Sequence, residues 1–257
     1  MGFLHWSHEE FIATIKIERP PANALSSQVL KELSDILDEI EFYQDIRVIV
    51  LRGEGRFFSA GADIKEFTTI STGEDFGNLS TLGQDLFERM ERYPKPIIAV
   101  IHGAALGGGL ELAMACHFRL VTENTKLGLP ELQLGLVPGF AGSQRLPKYV
   151  GTAKAAEMLF TSEPIRGVEA VQCGLANHAF AEEELLEKSY KIAKKIAKKS
   201  PIALSAAIEL LNYGKTNEFY SGVKKEVELF EKVFLSKDGQ EGISAFLEKR
   251  EPKFTGE

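Results

Sequence analysis

The sequence predicts an α/β fold, a core of parallel strands followed by a C-terminal helical segment. Strand and helix patterns alternate up to about residue 180, and such alternation is typical of a parallel sheet. Two short apolar runs, Ile46–Leu51 and Pro96–Gly103, suit strands that are buried on both faces. From about Glu182 onward only helical patterns remain, which indicates that the sheet ends before the C-terminus.

The first predicted strand is Phe11–Glu18, with four apolar residues alternating on one face: Phe11, Ala13, Ile15 and Ile17. A helix is predicted to start at Ser26 or Ser27 and to carry one apolar stripe down to Ile40. The run Ile46–Leu51 is the next strand, and a glycine-containing loop follows it.

Residues 71–80 are rich in Ser, Thr and Gly and lack periodicity, so a mobile loop is expected there. A helix near Leu82–Arg92 is predicted to end before Pro94 and Pro96. Further strands and helices are predicted at Pro96–Gly103 (strand), Leu110–Cys116 (helix), His117–Glu123 and Lys126–Leu129 (strands), and Thr152–Phe160 and Gly167–Gln172 (helices). The lysines at 191, 194, 195, 198 and 199 are expected on a solvated helix face.

Composition excludes several classes of function. The net charge of −7 is a poor basis for binding nucleic acid, which needs a basic surface. The two cysteines have neither disulfide-framework nor metal-site spacing, and the five histidines form no metal-binding pattern. Neither a secretory signal nor a membrane-spanning run is recognisable, so a cytoplasmic protein without membrane or nucleic-acid partners is expected.

Two glycine-rich turns each follow a buried strand and precede a predicted helix: Ser59–Asp63 and Gly103–Gly109. Ligands commonly bind at such strand ends, where small residues let them approach backbone N–H groups at a helix start. The glycines match neither GxxxxGK[ST] nor GxGxxG. On spacing alone, tight packing between helix and strand explains them equally well.

Two glutamates lie among apolar neighbours. Glu111 occupies the first turn of the helix after the second glycine turn, and Glu131 follows Pro130 in an apolar stretch. Each is either a favourable charge at a helix start or a buried acid whose pKa differs from that of its partner, as acid–base chemistry requires.

Five segments together carry a resemblance to the enoyl-CoA hydratase/isomerase (crotonase) family, most of all to its bacterial hydratases. They are PPANALS, FFSAGADIKEF, PKPIIAVIHGAALGGGLELAMAC, LGLPELQLGLVPGFAGSQRLPKYVG and EGISAFLEKREPKF. The resemblance implies a crotonase-like spiral of ββα units in residues 1–195, and a helical segment in residues 196–257 that forms homotrimers, often paired into hexamers.

The resemblance also assigns roles. The N–H groups of Ala62 and Gly108 match the oxyanion hole that holds a thioester carbonyl, and Glu111 and Glu131 match the two catalytic glutamates of the hydratases. The implied coenzyme A-binding residues are Ala60, Ala62, Asp63, Ile64, Lys65 and Gly108. The implied reaction is reversible syn addition of water to a trans-2-enoyl-CoA in fatty acid β-oxidation, with no metal or separate cofactor.

Two alternatives stay open. One is a double-bond isomerase, or a hydratase of branched or unsaturated acyl groups; an isomerase needs one acid, so the presence of both glutamates favours hydration. The other is an RNA-binding member of the family. The acidic balance argues against that activity, although the lysine face at 191–199 is a possible site.

Overall fold

The computed structural model of the chain describes residues 2–67, 73–215 and 219–257. The strands in these residues are β1 (Leu4–Glu9), β2 (Ile12–Ile17), β3 (Val48–Gly53), β4 (Ile97–Ile101), β5 (Ala104–Leu106), β6 (Phe118–Thr122), β7 (Lys126–Gly128), β8 (Ile165–Arg166) and β9 (His178–Phe180). The α-helices are α1 (Ser27–Phe42), α2 (Ile64–Phe67), α3 (Gly73–Glu91), α4 (Gly108–Ala115), α5 (Gly142–Thr161), α6 (Gly167–Gln172), α7 (Leu185–Ala197), α8 (Pro201–Lys215), α9 (Phe219–Leu235) and α10 (Lys237–Glu248).

The larger sheet has the strand order β1-β2-β3-β4-β6-β9. Its β1–β2 pair is antiparallel, and its other pairs are parallel, which confirms the predicted parallel core. A smaller sheet has the order β5-β7-β8. Because β5 follows β4 after a short turn at Gly103, the two sheets meet where the glycine-rich turns lie.

Strands β3 and β4 are buried on both faces, as their continuous apolar runs predict. In β3, Ile49 and Leu51 pack into the main core with α1 and α3, whereas Val48 and Val50 pack into a second core. That second core is closed by buried residues of α7. The helix α1 begins one residue after its cap Ser26, whose hydroxyl accepts a hydrogen bond from the Val29 N–H at 3.3 Å.

The first strand pair differs from the prediction. Phe11 does not belong to the strand: Glu10 and Phe11 form a two-residue turn with positive φ angles of 46° and 70°, as a tight hairpin requires. Phe11 is 45% exposed, with the Arg47 guanidinium 4.3 Å from its ring centre. The strand β1 carries little apolar alternation, so the sequence pattern did not reveal it.

The loop expected at residues 71–80 is also wrong for residues 73–80, which form the first turns of α3; residues 71 and 72 lie outside the described residues. Ser, Thr and Gly lower helix propensity, but tertiary contacts override it. The Ser80 hydroxyl and the Gln84 amide both donate to the Gly139 carbonyl, and Leu79 packs against the main core.

The C-terminal helices keep large apolar side chains exposed. The lysines at 191, 194, 195, 198 and 199 are solvated as predicted. On α9 and α10, Phe230 is 71% and Phe246 82% exposed, whereas Leu229 is buried. No helix within the described ranges is both long and apolar enough to cross a bilayer.

Substitution of two glycines of α3 by alanine should change the free energy of unfolding in opposite directions. A Cβ on Gly83 would lie 2.3 Å from Cδ1 of the Phe140 ring, whereas a Cβ on Gly77 would meet no atom of the described residues within 4 Å. Gly77→Ala should therefore raise the free energy of unfolding by up to about 1 kcal/mol, through helix propensity alone. Gly83→Ala should lower it by about 1–3 kcal/mol because the core becomes overpacked. Urea unfolding at one protein concentration measures both, and equal effects would contradict the packing of Phe140 against α3.

Candidate active site

Hydrogen bonds connect the first glycine turn, Ser59–Asp63, and the residues just before it to the segment that precedes α1. The Asn23 amide donates to the carbonyls of Glu54 and Phe57, both at 2.8 Å, and the Ser59 hydroxyl donates to the Asn23 carbonyl at 2.8 Å. Leu25 then brackets the turn, since its N–H donates to the Gly61 carbonyl and its carbonyl accepts from the Asp63 N–H. The PPANAL segment thus determines the path of the turn.

The second glycine turn packs directly on the first. Ser59 pairs with Ala105 of β5 in a parallel bridge, and a Cβ on Gly109 would lie 2.4 Å from the Ser59 carbonyl oxygen, which excludes any side chain there. Gly107 has a φ of 50° and precedes α4, and a Cβ on it would lie 2.9 Å from Glu131 Oε1. These glycines are required by close backbone approach and by a positive φ.

This packing brings two backbone N–H groups side by side. A Cβ built on Gly108 would lie 3.3 Å from the Ala62 nitrogen. The N–H of Gly108 is in the first turn of α4, where intrahelical acceptors are lacking. Within the described ranges, neither the Ala62 nor the Gly108 N–H donates to a protein acceptor. Both line the same pocket, so they are two donors free for a ligand oxygen.

Glu111 is buried in this pocket and held by backbone donors. It is 1% exposed, and its Oε1 accepts hydrogen bonds from the N–H groups of Phe140 at 2.8 Å and Gly142 at 2.7 Å. Burial raises the pKa of Glu111 to about 7, the neighbouring Glu131 adds to the rise, and the two N–H groups oppose it.

Glu131 enters the pocket from a 3₁₀ turn, Glu131–Leu134. Its Oε2 is buried and has no hydrogen-bond partner among the described residues. Burial raises the pKa of this carboxyl also. The two glutamates therefore lie in one apolar pocket, both with a raised pKa, and the charge of Glu131 adds to the rise at Glu111.

The pocket unites most of the residues that the sequence singled out. Its lining includes Ala60, Ala62, Ile64, Gly108, Glu111 and Glu131. Asp63 and Lys65 lie outside the lining. The Asp63 carboxylate is bound by the Arg19 guanidinium at 2.5 Å and accepts from the Lys65 N–H at 3.1 Å, so it shapes the turn instead of facing the pocket.

Sequence reasoning missed the segment that holds Glu111. Phe140 and Gly142 supply N–H donors, and a Cβ on Gly142 would lie 2.8 Å from Glu111 Oε1. The Phe140 ring also lines the pocket and meets Phe87 edge-on, with ring centres 5.4 Å apart. The only available signal was the glycine-rich GFAG stretch shortly after Glu131.

This arrangement suits proton transfer to a substrate whose carbonyl gains negative charge. Two N–H donors that bind one oxygen stabilise an enolate, and buried acids with raised pKa values can give and take protons. Among the described residues no group of three or more His, Cys, Asp or Glu side chains is arranged to hold a metal ion.

The family is decided by comparison with known proteins. The model of the enoyl-CoA hydratase/isomerase family matches residues 7–257. The chain belongs to this family. It is 55% identical to a probable enoyl-CoA hydratase of Bacillus subtilis, with both chains covered completely. It is 37% identical to the 2,3-dehydroadipyl-CoA hydratase of Escherichia coli, again over the full length of both chains.

Solved structures of the family share the fold. The crystal structure of an enoyl-CoA hydratase from Bacillus anthracis superposes with a TM-score of 0.94 and 37% identity, covering 99% of this chain and all of the other. The predicted crotonase fold with its C-terminal helical segment is thereby confirmed. Within this family, the chain is an enzyme of the hydro-lyase class.

The buried acid predicts a pH-dependent stability. Glu111 has an ordinary pKa of 4.5 and a folded pKa of about 7, so the folded state binds more protons between these values and loses stability as the pH rises through them. Glu111→Gln removes this cost and keeps an acceptor for both N–H groups. It should raise the free energy of unfolding at pH 8 by up to about 3 kcal/mol, with little change at pH 4.5.

Glu91→Gln is the matched control. Burial alone would raise the pKa of Glu91, but Arg145 at 3.0 Å and Lys215 at 2.9 Å lower it overall. Its carboxylate stabilises the fold above pH 4.5, so this variant should be less stable than the parent at pH 8. Denaturant unfolding at both pH values measures the two effects, and a destabilised Glu111→Gln protein at pH 8 would contradict the buried-acid assignment.

Proposed function

We propose that the protein is an enoyl-CoA hydratase, adding water reversibly and syn across trans-2-enoyl-CoA to give 3-hydroxyacyl-CoA. The observation that carries this proposal is that one pocket contains two acids, Glu111 and Glu131, and two N–H donors that have no acceptor among the described residues. Water addition needs all four groups, whereas a double-bond shift needs one acid. A role in fatty acid β-oxidation fits this activity.

The Ala62 and Gly108 N–H groups are proposed to bind the thioester oxygen. They withdraw electron density from C3, which makes it open to attack by water. As the oxygen of water bonds to C3, the C2–C3 π electrons move into the thioester, and the resulting enolate is stabilised by the same two donors. Coenzyme A is part of the substrate, and the chemistry requires neither a metal nor a redox cofactor.

The two glutamates are proposed to divide the proton transfers. The Glu111 carboxylate takes a proton from the attacking water: its pKa of about 7 leaves part of the molecules ionised at neutral pH, and two N–H groups hold its Oε1 in place. Glu131 gives its proton to C2, since its buried Oε2 lacks a partner that would stabilise the charge. After the product leaves, the proton on Glu111 is transferred to Glu131, which restores the starting protonation of the pair for the next turnover.

Removing either acid should disable hydration without unfolding the protein. Glu111→Gln and Glu131→Gln should each lower kcat for 2-butenoyl-CoA by about 10²–10⁴-fold, followed as loss of the conjugated enoyl absorbance. Glu163→Gln, at an exposed glutamate outside the pocket, is the matched control and should keep the parent rate. A variant of Glu111 or Glu131 retaining more than about a tenth of that rate would reduce its glutamate to a structural charge.

We propose that the active protein is a homotrimer or a hexamer. Several large apolar side chains of α9 and α10, including Phe230 and Phe246, are exposed, and grouped exposed apolar residues are typical of surfaces that another protein covers. Light scattering at micromolar concentration should give three or six times the chain mass of 28.4 kDa. Phe246→Asp should shift the protein toward smaller species, and a stable parent monomer would rule out the assembly.

A further inference from the structure

The charges in the pocket have one sign. Apart from Glu111 and Glu131, the residues that line it are uncharged, and nearly all of them are small or apolar. The large ones are Ile64, Leu79, Leu134, Leu136, Val137 and Phe140. A substrate group that carries negative charge therefore meets two acids and, among the described residues, no cation in the lining.

The sequence shows that this lack of cations extends through the segments that build the pocket. No lysine or arginine occurs between Lys65 and Arg89, between Lys95 and Arg119, or between Lys126 and Arg145. These intervals contain residues 73–88 of α3, both the second glycine turn and α4, and the whole stretch from Pro130 to Gly142. The first interval also covers residues 68–72, so those residues supply no cation either.

Two arginines near the pocket already have partners. The Arg145 guanidinium donates to the Phe140 carbonyl at 2.6 Å and to Glu91 Oε2 at 3.0 Å, and it is not part of the pocket lining. Arg19 binds the Asp63 carboxylate and the Ala24 carbonyl. Both guanidinium groups are therefore committed to carboxylates of the protein.

The direction of the acyl chain follows from the proposed binding of the thioester. With the carbonyl at Ala62 and Gly108 and with C2 and C3 at the two glutamates, C4 and later atoms extend beyond the acids. The lining there comes from Leu79 of α3 and from the 130–140 segment. Leu134 and Val137 are 60% and 75% exposed, so this apolar side of the pocket opens to solvent.

We propose that the pocket selects enoyl-CoA substrates with uncharged acyl chains and rejects those that end in a carboxylate. This inference rests on the proposed hydratase function. A carboxylate at the end of a short acyl chain would lie against apolar side chains, meet no cation among the described lining residues and be repelled by the two glutamates. An alkyl end gains by burial against the leucines.

The test compares two substrates of equal acyl length, 2-hexenoyl-CoA and 2,3-dehydroadipyl-CoA, which differ in a methyl or a carboxylate at C6. The expected kcat/KM is roughly 10²-fold higher for 2-hexenoyl-CoA. The Escherichia coli 2,3-dehydroadipyl-CoA hydratase, 37% identical, is the control that shows the carboxylated substrate to be competent. Equal kcat/KM values for the two substrates with the present protein would overturn the inference.

A charge introduced at the open side should reverse part of the discrimination. Val137→Arg places a cation at an exposed lining position, and Val137→Gln is the neutral control of similar polarity. The ratio of kcat/KM for 2,3-dehydroadipyl-CoA over 2-hexenoyl-CoA should rise at least about tenfold in the arginine variant relative to the glutamine variant. An unchanged ratio would show that charge at this side does not set the preference.

The two proposals fail separately. If the protein hydrates neither substrate, nor 2-butenoyl-CoA, the hydratase function itself is wrong. If it hydrates 2-hexenoyl-CoA and the carboxylated substrate equally well, the function stands and only the inferred selectivity is wrong.

Discussion

The site depends on the close approach of two backbone turns. Residues 58–63 and 104–109 are joined by the Ser59–Ala105 bridge and by the contact of Gly109 with the Ser59 carbonyl, where no side chain fits. This contact sets Ala62 next to Gly108 and directs the first turn of α4 at the pocket. Because Glu111 lies in that same turn, the position of the acid follows from the position of the N–H donors.

The burial of carboxyl groups is the second constraint on the site. The charges around each buried carboxyl decide whether its pKa rises or falls. Glu91 is near two cations, so its pKa falls despite burial. At Glu111 burial and the neighbouring Glu131 outweigh the two N–H donors and the more distant charge of Arg145, so its pKa rises. Glu111 is therefore partly protonated near neutral pH, and its burial lowers the stability of the fold. Such a cost is expected for a group that serves the chemistry of the site.

Periodicity predicted the elements whose burial is regular, and it failed where distant contacts decide. The stripe of α1 and the runs of β3 and β4 are visible because every buried position is apolar. The sequence pattern does not reveal the strand β1 or the start of α3. The strand β1 has exposed polar residues, and α3 is held by hydrogen bonds to the Gly139 carbonyl. In the site, motifs pointed to Glu111 and Glu131, whereas the donors of Phe140 and Gly142 are backbone atoms, which leave no residue-type signature.

Phe140 contributes to the pocket through its backbone N–H group and through its side chain, and a substitution changes only the second. Its N–H orients Glu111, and its ring forms part of the wall between α3 and α4. Every residue type except proline retains an N–H group. Most substitutions at position 140 therefore keep the hydrogen bond from this N–H group to Glu111. Evolution can therefore reshape the wall while the reaction chemistry is inherited intact, which offers one chain architecture a route to many acyl groups.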